Sequence, residues 1–346
     1  MRPAAALIDE RKGLGGLGLE AIIKLPLRNA LDVTSARQLA DFVRHHQIQI
    51  VHAHMARDYP LAAYAASRAG ARAIVTRHVL FPLNRLHALT LRRVSRVIAV
   101  SDAVAHSLTH RGLALDRTVV IENGIDVNRF RDGDRRSDRE QFFHRWELSR
   151  DQVICGTVGE LLPLKGHEDF VRAAAIVSRR FPQAQFFIAG VDGSPDGACR
   201  AGLERLIDEL ALSEKTRLIG WVENLPQFYR ALNVFVSASH TESFGLAIVE
   251  AMAAGTPVVA TRTEGAMMTI ADQSSGLLVP IGDTAALAAA METMLADQVK
   301  ATAMALEAQQ IAAVRYSLER MVAETVGLYQ EVLEQKSSAP APAPKH

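Results

Sequence analysis

The chain has 346 residues, of which 49% are hydrophobic and 22% charged, which predicts two globular domains and excludes wholesale disorder. Its two cysteines, Cys155 and Cys199, exclude a disulfide scaffold and a four-thiolate zinc site, and no apolar run reaches the ~18 residues of a membrane helix, so we expect a cytoplasmic protein. The net charge is +1, but residues 1–150 carry 24 Lys and Arg against 15 Asp and Glu, whereas residues 151–346 carry 15 against 23. A basic half joined to an acidic half indicates either different partners or two solvated surfaces of opposite sign.

In the first half, short apolar runs alternate with amphipathic stretches, the pattern of a parallel sheet with crossover helices. The predicted strands are 21–23, 48–51, 73–76, 97–100 and 118–121, and the predicted helices are 61–69 and 102–110. Residues 129–150 are densely charged and lack periodicity, so we predict a linker there. Asp132-Gly133-Asp134 lies in this segment, and we interpret it as a solvated turn and not as a metal site.

The second half repeats the alternation of strands and helices and predicts a second doubly wound sheet. The predicted strands are 153–158, 185–189, 216–219, 234–237 and 257–260, with a helix at 167–180 and largely helical structure over 284–335.

A glycine turn lies between strand 153–158 and helix 167–180 and contains Gly159, Lys165 and Gly166. Helix N-terminal amides and a lysine at such a turn can bind an anion such as phosphate. Glycine and lysine at this place are also compatible with an ordinary turn.

Two glutamates, Glu242 and Glu250, are eight residues apart where strand 234–237 passes into a helix. Eight residues are slightly more than two helical turns, so the two carboxylates fall near one face and can accept hydrogen bonds from sugar hydroxyls. The alternative is a helix cap and a solvated glutamate.

The chain resembles the retaining glycosyltransferases of family 4 over roughly residues 15–335. The segments that carry the resemblance are 50–54, 76–78, 97–101, 122–126, 159–167, 189–190, 218–222, 229–236, 242–259 and 276–279. It implies an α/β GT-B fold, in which two doubly wound Rossmann-like domains face a cleft. The implied boundaries are 1–145 for the acceptor-side domain, 146–315 for the nucleotide-sugar donor domain, 316–335 for a helix that crosses back, and 336–346 for a disordered Ala/Pro tail.

The resemblance also implies roles for individual residues. Donor-binding residues would be Gly159, Lys165, Trp221, Val222, Glu242, Ser243, Phe244, Gly245, Leu246 and Glu250. Lys165, Glu242 and His78 would be catalytic, and His54 and His78 would lie on the acceptor side. Lys165 would contact the diphosphate and Glu250 the ribose. No metal is expected, because Lys165 and helix amides can stabilise the leaving diphosphate without one, and no cofactor is expected, because the nucleotide-sugar is a substrate.

Three features depart from the family pattern. Glu160 stands where the family has an arginine, and a carboxylate there would repel a diphosphate. Glu264 and Met268 replace a glycine and a glutamate. The opening strand, loop, helix and second strand are expected to be missing.

The implied function is retaining transfer of a sugar from a UDP- or GDP-sugar to a glycan or lipid-linked acceptor in synthesis of cell-envelope polysaccharide or lipopolysaccharide. The alternatives are a catalytically silent or truncated partner subunit and a nucleotide-sugar epimerase of the same fold. Residues 83–96 predict a basic amphipathic helix that either lies on the anionic inner face of the membrane or packs on its own sheet. Nucleic acid is not an expected partner, because the few aromatic residues show no stacking pattern.

Overall fold

The computed structural model describes residues 4–7, 21–26, 29, 32–81, 85–109 and 117–337, and it divides into two compact units. Unit 1 runs to Ile121 and includes the residues from Val322 onward, whereas unit 2 is Glu122–Met321. The predicted disordered tail lies outside the described residues from position 338.

The described residues of unit 1 form two parallel sheets. Strands β1 (Ala4–Leu7) and β2 (Ala21–Lys24) pair with each other. Strands β3 (Ile50–Ala53), β4 (Arg72–Arg77), β5 (Arg96–Ala99) and β6 (Thr118–Val120) form a second sheet in that order. The helices are α1 (Val33–His45), α2 (Tyr59–Ala69), α3 (Arg85–Leu91) and α4 (Asp102–Thr109).

The predicted strands of the first half are confirmed as β2 to β6. Strand β1 was not predicted, because three of its four residues are alanine, which is depleted in strands. Helix α3 is shorter than the predicted basic helix at 83–96 and ends at Leu91. Residues 83 and 84 of that prediction lie outside the described residues.

Unit 2 is built on one six-stranded parallel sheet. In chain order its strands are β7 (Val153–Val158), β8 (Ala184–Ala189), β9 (Thr216–Gly220), β10 (Val234–Ser237), β11 (Val258–Thr261) and β12 (Leu277–Val279). Its helices are α5 (Val127–Arg131), α6 (Arg135–Arg145), α7 (His167–Arg180), α8 (Ala198–Glu209), α9 (Leu225–Ala231), α10 (Leu246–Ala253), α11 (Glu264–Thr269), α12 (Thr284–Ala296) and α13 (Gln298–Arg315). All five strands predicted for this half are confirmed.

The strand order β12-β11-β10-β7-β8-β9 places a topological switch between β7 and β10. From β7 the chain winds outward through β8 and β9, and then returns to the other side of β7 to build β10, β11 and β12. Ligands of such open sheets bind outside the carboxyl ends of the strands at this switch. The loops after β7 and β10 are therefore the first place to search for a site.

The predicted linker at 129–150 is wrong, since this segment forms α5 and α6. Helix α6 packs against α9 and buries Phe142 and Phe143. Its other anchors are arginines: Arg139, for example, donates to the carbonyl oxygens of Ala231 and Gln152. A helix held by polar contacts lacks the apolar periodicity on which the prediction relied. The division at Ile121/Glu122 therefore lies before these helices, whereas the predicted boundary follows them.

A last helix, α14 (Leu318–Ser337), has its residues from Val322 in unit 1. There Leu328 and Val332 are buried, and Glu331 pairs with Arg96 at 2.7 Å. Among the helices that the structure describes, none combines the length and apolar character needed to cross a membrane.

Candidate functional site

Three loops at the carboxyl edge of the unit 2 sheet carry the predicted donor-binding residues, and a fourth loop, after β8, lies among them. Glu242 follows β10, Gly159 and Lys165 follow β7, Gly190 follows β8, and Trp221 follows β9. Because β10, β7, β8 and β9 are consecutive in the sheet and neighbouring strands are about 4.8 Å apart, the row spans roughly 14 Å. An extended ligand with several polar groups matches a row of this length.

The loop after β7 leads directly into the N-terminus of α7. Gly166 lies at this junction in the left-handed region with φ 64°, and a Cβ there would come within 1.9 Å of the Ala238 carbonyl oxygen. Only glycine can occupy the position. A short 3₁₀ turn, Pro163–Lys165, precedes it and presents the lysine just before the helix. Free N-terminal amides and a lysine thus occur together, as the sequence predicted.

Lys165 and Glu242 are brought together although 77 residues separate them. The Lys165 Nζ lies 2.7 Å from the Glu242 Oε2, and about a third of the lysine side chain remains exposed. Glu242 satisfies one N–H of the ammonium group, which has three. The other two donors have no partner among the described residues and stay available to an anionic ligand.

The Glu242 loop is held by close backbone packing. The Gly265 amide donates to the Glu242 carbonyl oxygen at 2.8 Å, and a Cβ on Gly265 would come within 2.6 Å of the Phe244 backbone. Phe244 is buried with its ring against Tyr316, and Gly245 has φ 91° where α10 begins. This packing fixes the course of the loop, which also contains Ser243. The neighbouring Leu246 is exposed.

Glu250 lies on α10 and is positioned by a buried phenol. The Tyr229 hydroxyl donates to the Glu250 Oε2 at 2.8 Å. Burial raises the pKa of Glu250, while this hydrogen bond and the charge of Arg129 oppose the rise. Oε1 accepts no hydrogen bond from the residues that the structure describes, so it is free to accept ligand hydroxyls.

Trp221 and Val222 follow β9, whose last residue, Gly220, has φ 68°. Trp221 is 74% exposed. Both residues border a cavity of about 360 Å³, which Trp146 and Gln227 also line. An exposed indole beside polar amide groups is suited to a flat heterocyclic ring.

The structure also places the substituted residues that depart from the family pattern. Glu160 is exposed, and its carboxylate lies against Gly193 in the loop after β8, while its carbonyl oxygen contacts the ring of His167 at 3.1 Å. Glu264 begins α11, and the Met268 carbonyl oxygen accepts from the Tyr316 hydroxyl. A negative charge therefore remains at the carboxyl edge, in the loop that leads to Lys165.

In unit 1, His54 and His78 follow the neighbouring strands β3 and β4. The His54 Nδ1 lies 3.1 Å from the His78 Nε2. His52 is held between the Tyr329 hydroxyl, 2.6 Å from Nδ1, and the Thr76 hydroxyl, 2.7 Å from Nε2. The resemblance implied that His54 and His78 lie on the same, acceptor side, but it did not imply their direct contact or the position of Tyr329 on α14.

The three imidazoles favour their neutral forms. Burial, followed by the charges of His54 and His78, lowers the pKa of His52 to about 3. Partial burial also lowers the pKa of His54 and of His78. One member of the His54–His78 pair donates and the other accepts, so the pair offers hydrogen bonds to a ligand without carrying a charge.

Within the described part of the chain, no three His, Cys, Asp or Glu side chains are grouped so that they could hold a metal ion. Asp132, Gly133 and Asp134 form an exposed turn, as predicted, and Asp134 caps α6 by accepting from the Arg136 amide at 2.9 Å.

Comparison with known proteins assigns the family. The family described as "Glycosyl transferases group 1" matches residues 138–311, and the family described as "Glycosyltransferase Family 4" matches residues 13–129. The chain belongs to the group 1 glycosyl transferases. Both halves therefore match the family that their motifs resembled.

Curated relatives named D-inositol 3-phosphate glycosyltransferase are similar to part of the chain. The protein from Corynebacterium urealyticum is 36% identical over 233 residues, which cover 65% of this chain and 54% of the relative. The protein from Geodermatophilus obscurus is 33% identical over 251 residues, which cover 70% of this chain and 54% of the relative. The chain thus spans about half the length of the curated relatives it matches.

Solved structures show the same fold. HepE from Anabaena, determined in complex with UDP and glucose, superposes with a TM-score of 0.80 at 24% identity and covers 89% of this chain and 86% of its own. A glycosyltransferase from Rickettsia africae gives a TM-score of 0.82 at 22% identity, with coverage of 90% and 85%. The predicted GT-B fold is confirmed.

Proposed function

We propose that the chain transfers a sugar, with retention of anomeric configuration, from a UDP-sugar to an acceptor hydroxyl. The observation that supports this most is the row of groups along the carboxyl edge of the unit 2 sheet. A partly exposed lysine, a glutamate beside it and a second glutamate oriented by a phenol match the anionic and hydroxyl groups of a nucleotide-sugar. UDP is preferred to GDP because HepE, with the same fold, was determined with UDP and glucose.

The chemistry assigned to this edge is electrostatic. Departure of UDP leaves negative charge on the phosphate, which Lys165 and the N-terminal amides of α7 can stabilise. Glu242 holds the lysine in place and can accept from sugar hydroxyls, and the free Oε1 of Glu250 can accept from the ribose. The neutral His54–His78 pair is assigned to the acceptor hydroxyl, because neutral imidazoles can both donate and accept there.

We assign a lipid-linked or glycan acceptor of the cell envelope, reached from the cytoplasmic face of an anionic membrane. On unit 1, Leu86 and Leu89 of α3 are 37% and 48% exposed, beside exposed Arg92 and Arg93. A groove of about 550 Å³ is lined by apolar residues of α1 and α2 and by Arg93. Exposed leucines with arginines are suited to an anionic bilayer surface.

Calorimetric titration of UDP and GDP tests the donor site. We expect UDP to bind Glu250→Gln at least about tenfold more weakly than wild type, since a hydrogen bond to a carboxylate contributes about 1.5–3 kcal/mol. The control is Glu204→Gln, which changes an exposed carboxylate paired with Arg200 and should bind UDP as wild type does. Equal binding by all three would contradict the donor-site assignment. Binding without turnover of UDP-glucose would favour the silent-subunit alternative.

Acceptors are tested next with labelled UDP-glucose. A second acceptor, D-inositol 3-phosphate, is assayed beside lipid-linked acceptors because the curated relatives bear its name. The coupling constant of the anomeric proton in the product reports retention or inversion.

Sedimentation with vesicles tests the membrane contact. Wild type and Val299→Glu, altered at an 83% exposed position of unit 2, should sediment with vesicles that contain phosphatidylglycerol, and Leu89→Glu should not. Equal sedimentation of all three would refute the assignment of the membrane contact to α3.

A further inference from the structure

A second polar cavity, of about 560 Å³, lies at the opposite edge of the unit 2 sheet. Its lining includes Asn233, which directly precedes β10, and Pro257, which directly precedes β11. These residues mark the amino edge of the parallel sheet, whereas Glu242 and Lys165 follow strands at the carboxyl edge. The four residues of β10 separate the two edges by about 13 Å. The cavity is therefore distinct from the donor site.

The lining of this cavity is strongly cationic. Arg131, Arg135, Arg139 and Arg230 all line it, and among the described residues no Asp or Glu does. Arg230 is buried and pairs with Asp138 at 2.5 Å, and the exposed Arg131 contacts Asp132 at 3.0 Å. We call this cavity the arginine pocket.

Arg135 and Arg139 have no ion-pair partner among the described residues. Arg135 donates to the carbonyl oxygens of Gly255 and Leu232, each at 2.8 Å. Arg139 donates to two carbonyl oxygens and to the Asn233 side chain. Each guanidinium carries five N–H groups, so both retain donors beyond these bonds. The carbonyl contacts hold the side chains in place but do not neutralise their charge.

The electrostatics of the arginine pocket favour an anion. Desolvation of the Arg135 guanidinium by the surrounding protein, followed by repulsion from Arg139 and Arg230, lowers the pKa of Arg135. Burial lowers the pKa of Arg139 as well. Both groups remain protonated because a guanidinium does not lose its proton in proteins. An oxyanion among them would relieve their repulsion and accept the remaining N–H groups in the bidentate geometry that suits phosphate.

Residues of α13 also line the arginine pocket, and they are mixed in character. Thr302 and Gln309 are polar, and Ala305 and Leu306 are apolar. The volume lies in the range of small-molecule sites and exceeds what a phosphate ion fills. We propose that the arginine pocket binds a small phosphomonoester, with its phosphate on the arginines and its organic part against α13.

Thr302 offers a test that leaves the arginine contacts intact. It is exposed on α13, and both Glu and Gln are good helix formers, so either substitution should fold. Thr302→Glu places a carboxylate in the lining of the arginine pocket, where it competes with the ligand for the guanidinium groups, whereas Thr302→Gln has the same size as Glu without the charge.

The experiment is a calorimetric titration of the full chain with inorganic phosphate and with D-glucose 6-phosphate, at constant ionic strength. We expect both ligands to bind wild type and Thr302→Gln, glucose 6-phosphate more tightly, and Thr302→Glu to bind at least tenfold more weakly. Hydrogen exchange should show protection by glucose 6-phosphate in residues 131–139 and 298–309.

Lys165→Met separates this proposal from the donor site. Lys165→Met should bind inorganic phosphate and glucose 6-phosphate as wild type does. This expectation holds even if wild type does not bind UDP, so failure of the donor-site proposal can be told apart from failure of this one. Loss of phosphate binding in Lys165→Met alone would place the anion at the donor edge and overturn the proposal. Equal binding by Thr302→Glu and Thr302→Gln, or equal affinity for the two ligands, would overturn it as well.

Discussion

Replacing Tyr229 by phenylalanine removes a single oxygen from the candidate donor site. The hydroxyl is buried and donates to the Glu250 Oε2 at 2.8 Å, so the change leaves the ring packing intact and takes one hydrogen bond from a carboxylate. Such a bond contributes about 1.5–3 kcal/mol. We expect the affinity for UDP to fall at least about tenfold, because Glu250 loses the contact that orients it.

The pH dependence makes this prediction specific. Burial already raises the pKa of Glu250, and the Tyr229 hydrogen bond opposes that rise, so the variant should have a still higher pKa. A carboxyl with a raised pKa destabilises the folded state when it is ionised. The loss of stability relative to wild type should therefore be largest at pH 8 and should shrink as the pH falls through the pKa of Glu250.

Two measurements check the reasoning: UDP titration between pH 5.5 and pH 8, and urea unfolding followed by tryptophan fluorescence. Trp146 and Trp221, the two tryptophans of the chain, lie in unit 2, so the signal reports that unit. Tyr59→Phe is the matched control, because its buried hydroxyl donates to a backbone carbonyl at 2.8 Å in unit 1. Unchanged UDP affinity in Tyr229→Phe at every pH would refute a positioning role for this phenol.

Three further changes give separate tests. Lys165→Met should weaken UDP binding at least about tenfold and reduce its salt dependence, because a charge-assisted contact to the diphosphate is lost. Gly166→Ala should destabilise unit 2 by about 2–4 kcal/mol, because φ is 64° and the new Cβ would meet the Ala238 carbonyl. Gly202→Ala, in open space on α8, should instead stabilise unit 2 by about 0.5–1 kcal/mol. The midpoints of urea unfolding compare the two variants. The pKa of His52 is about 3 in the folded state and 6.5 in the unfolded state. The contribution of neutral His52 to the stability of the folded state is therefore complete above pH 6.5 and falls by about 2 kcal/mol at pH 5. His52→Gln should flatten this dependence for unit 1, as read by hydrogen exchange in β3 and β4.

Each of these three predictions has an outcome that would contradict it. Salt dependence equal to that of wild type in Lys165→Met would remove the lysine from the diphosphate contact. Equal midpoints for the two glycine variants would show that the left-handed turn is not required. The stability of unit 1 could also still fall with pH below pH 6.5 in His52→Gln, but not in the exposed His106→Gln. That result would show that the titrating group is not His52.

The arginine-rich segment shows what local patterning cannot report. Helix α6 has a polar sequence because several of its anchors are guanidinium groups that donate to backbone carbonyls of unit 2. Hydropathy measures apolar burial, so a helix anchored by hydrogen bonds resembles a solvated linker. The arginine pocket was missed for the same reason.

The sequence alone determined the alternation of strands and helices, the glycine turn before α7 and the family, because these depend on local periodicity and on motifs of contiguous residues. It also predicted that Lys165, Glu242 and Glu250 would serve one site, although only through the resemblance. The pairing of Lys165 with Glu242 across 77 residues, the Tyr229 contact with Glu250 and the hold of Tyr329 on His52 were decided by tertiary structure. Such contacts join segments distant in the chain, and strand order and helix packing set their geometry, which residue spacing does not encode.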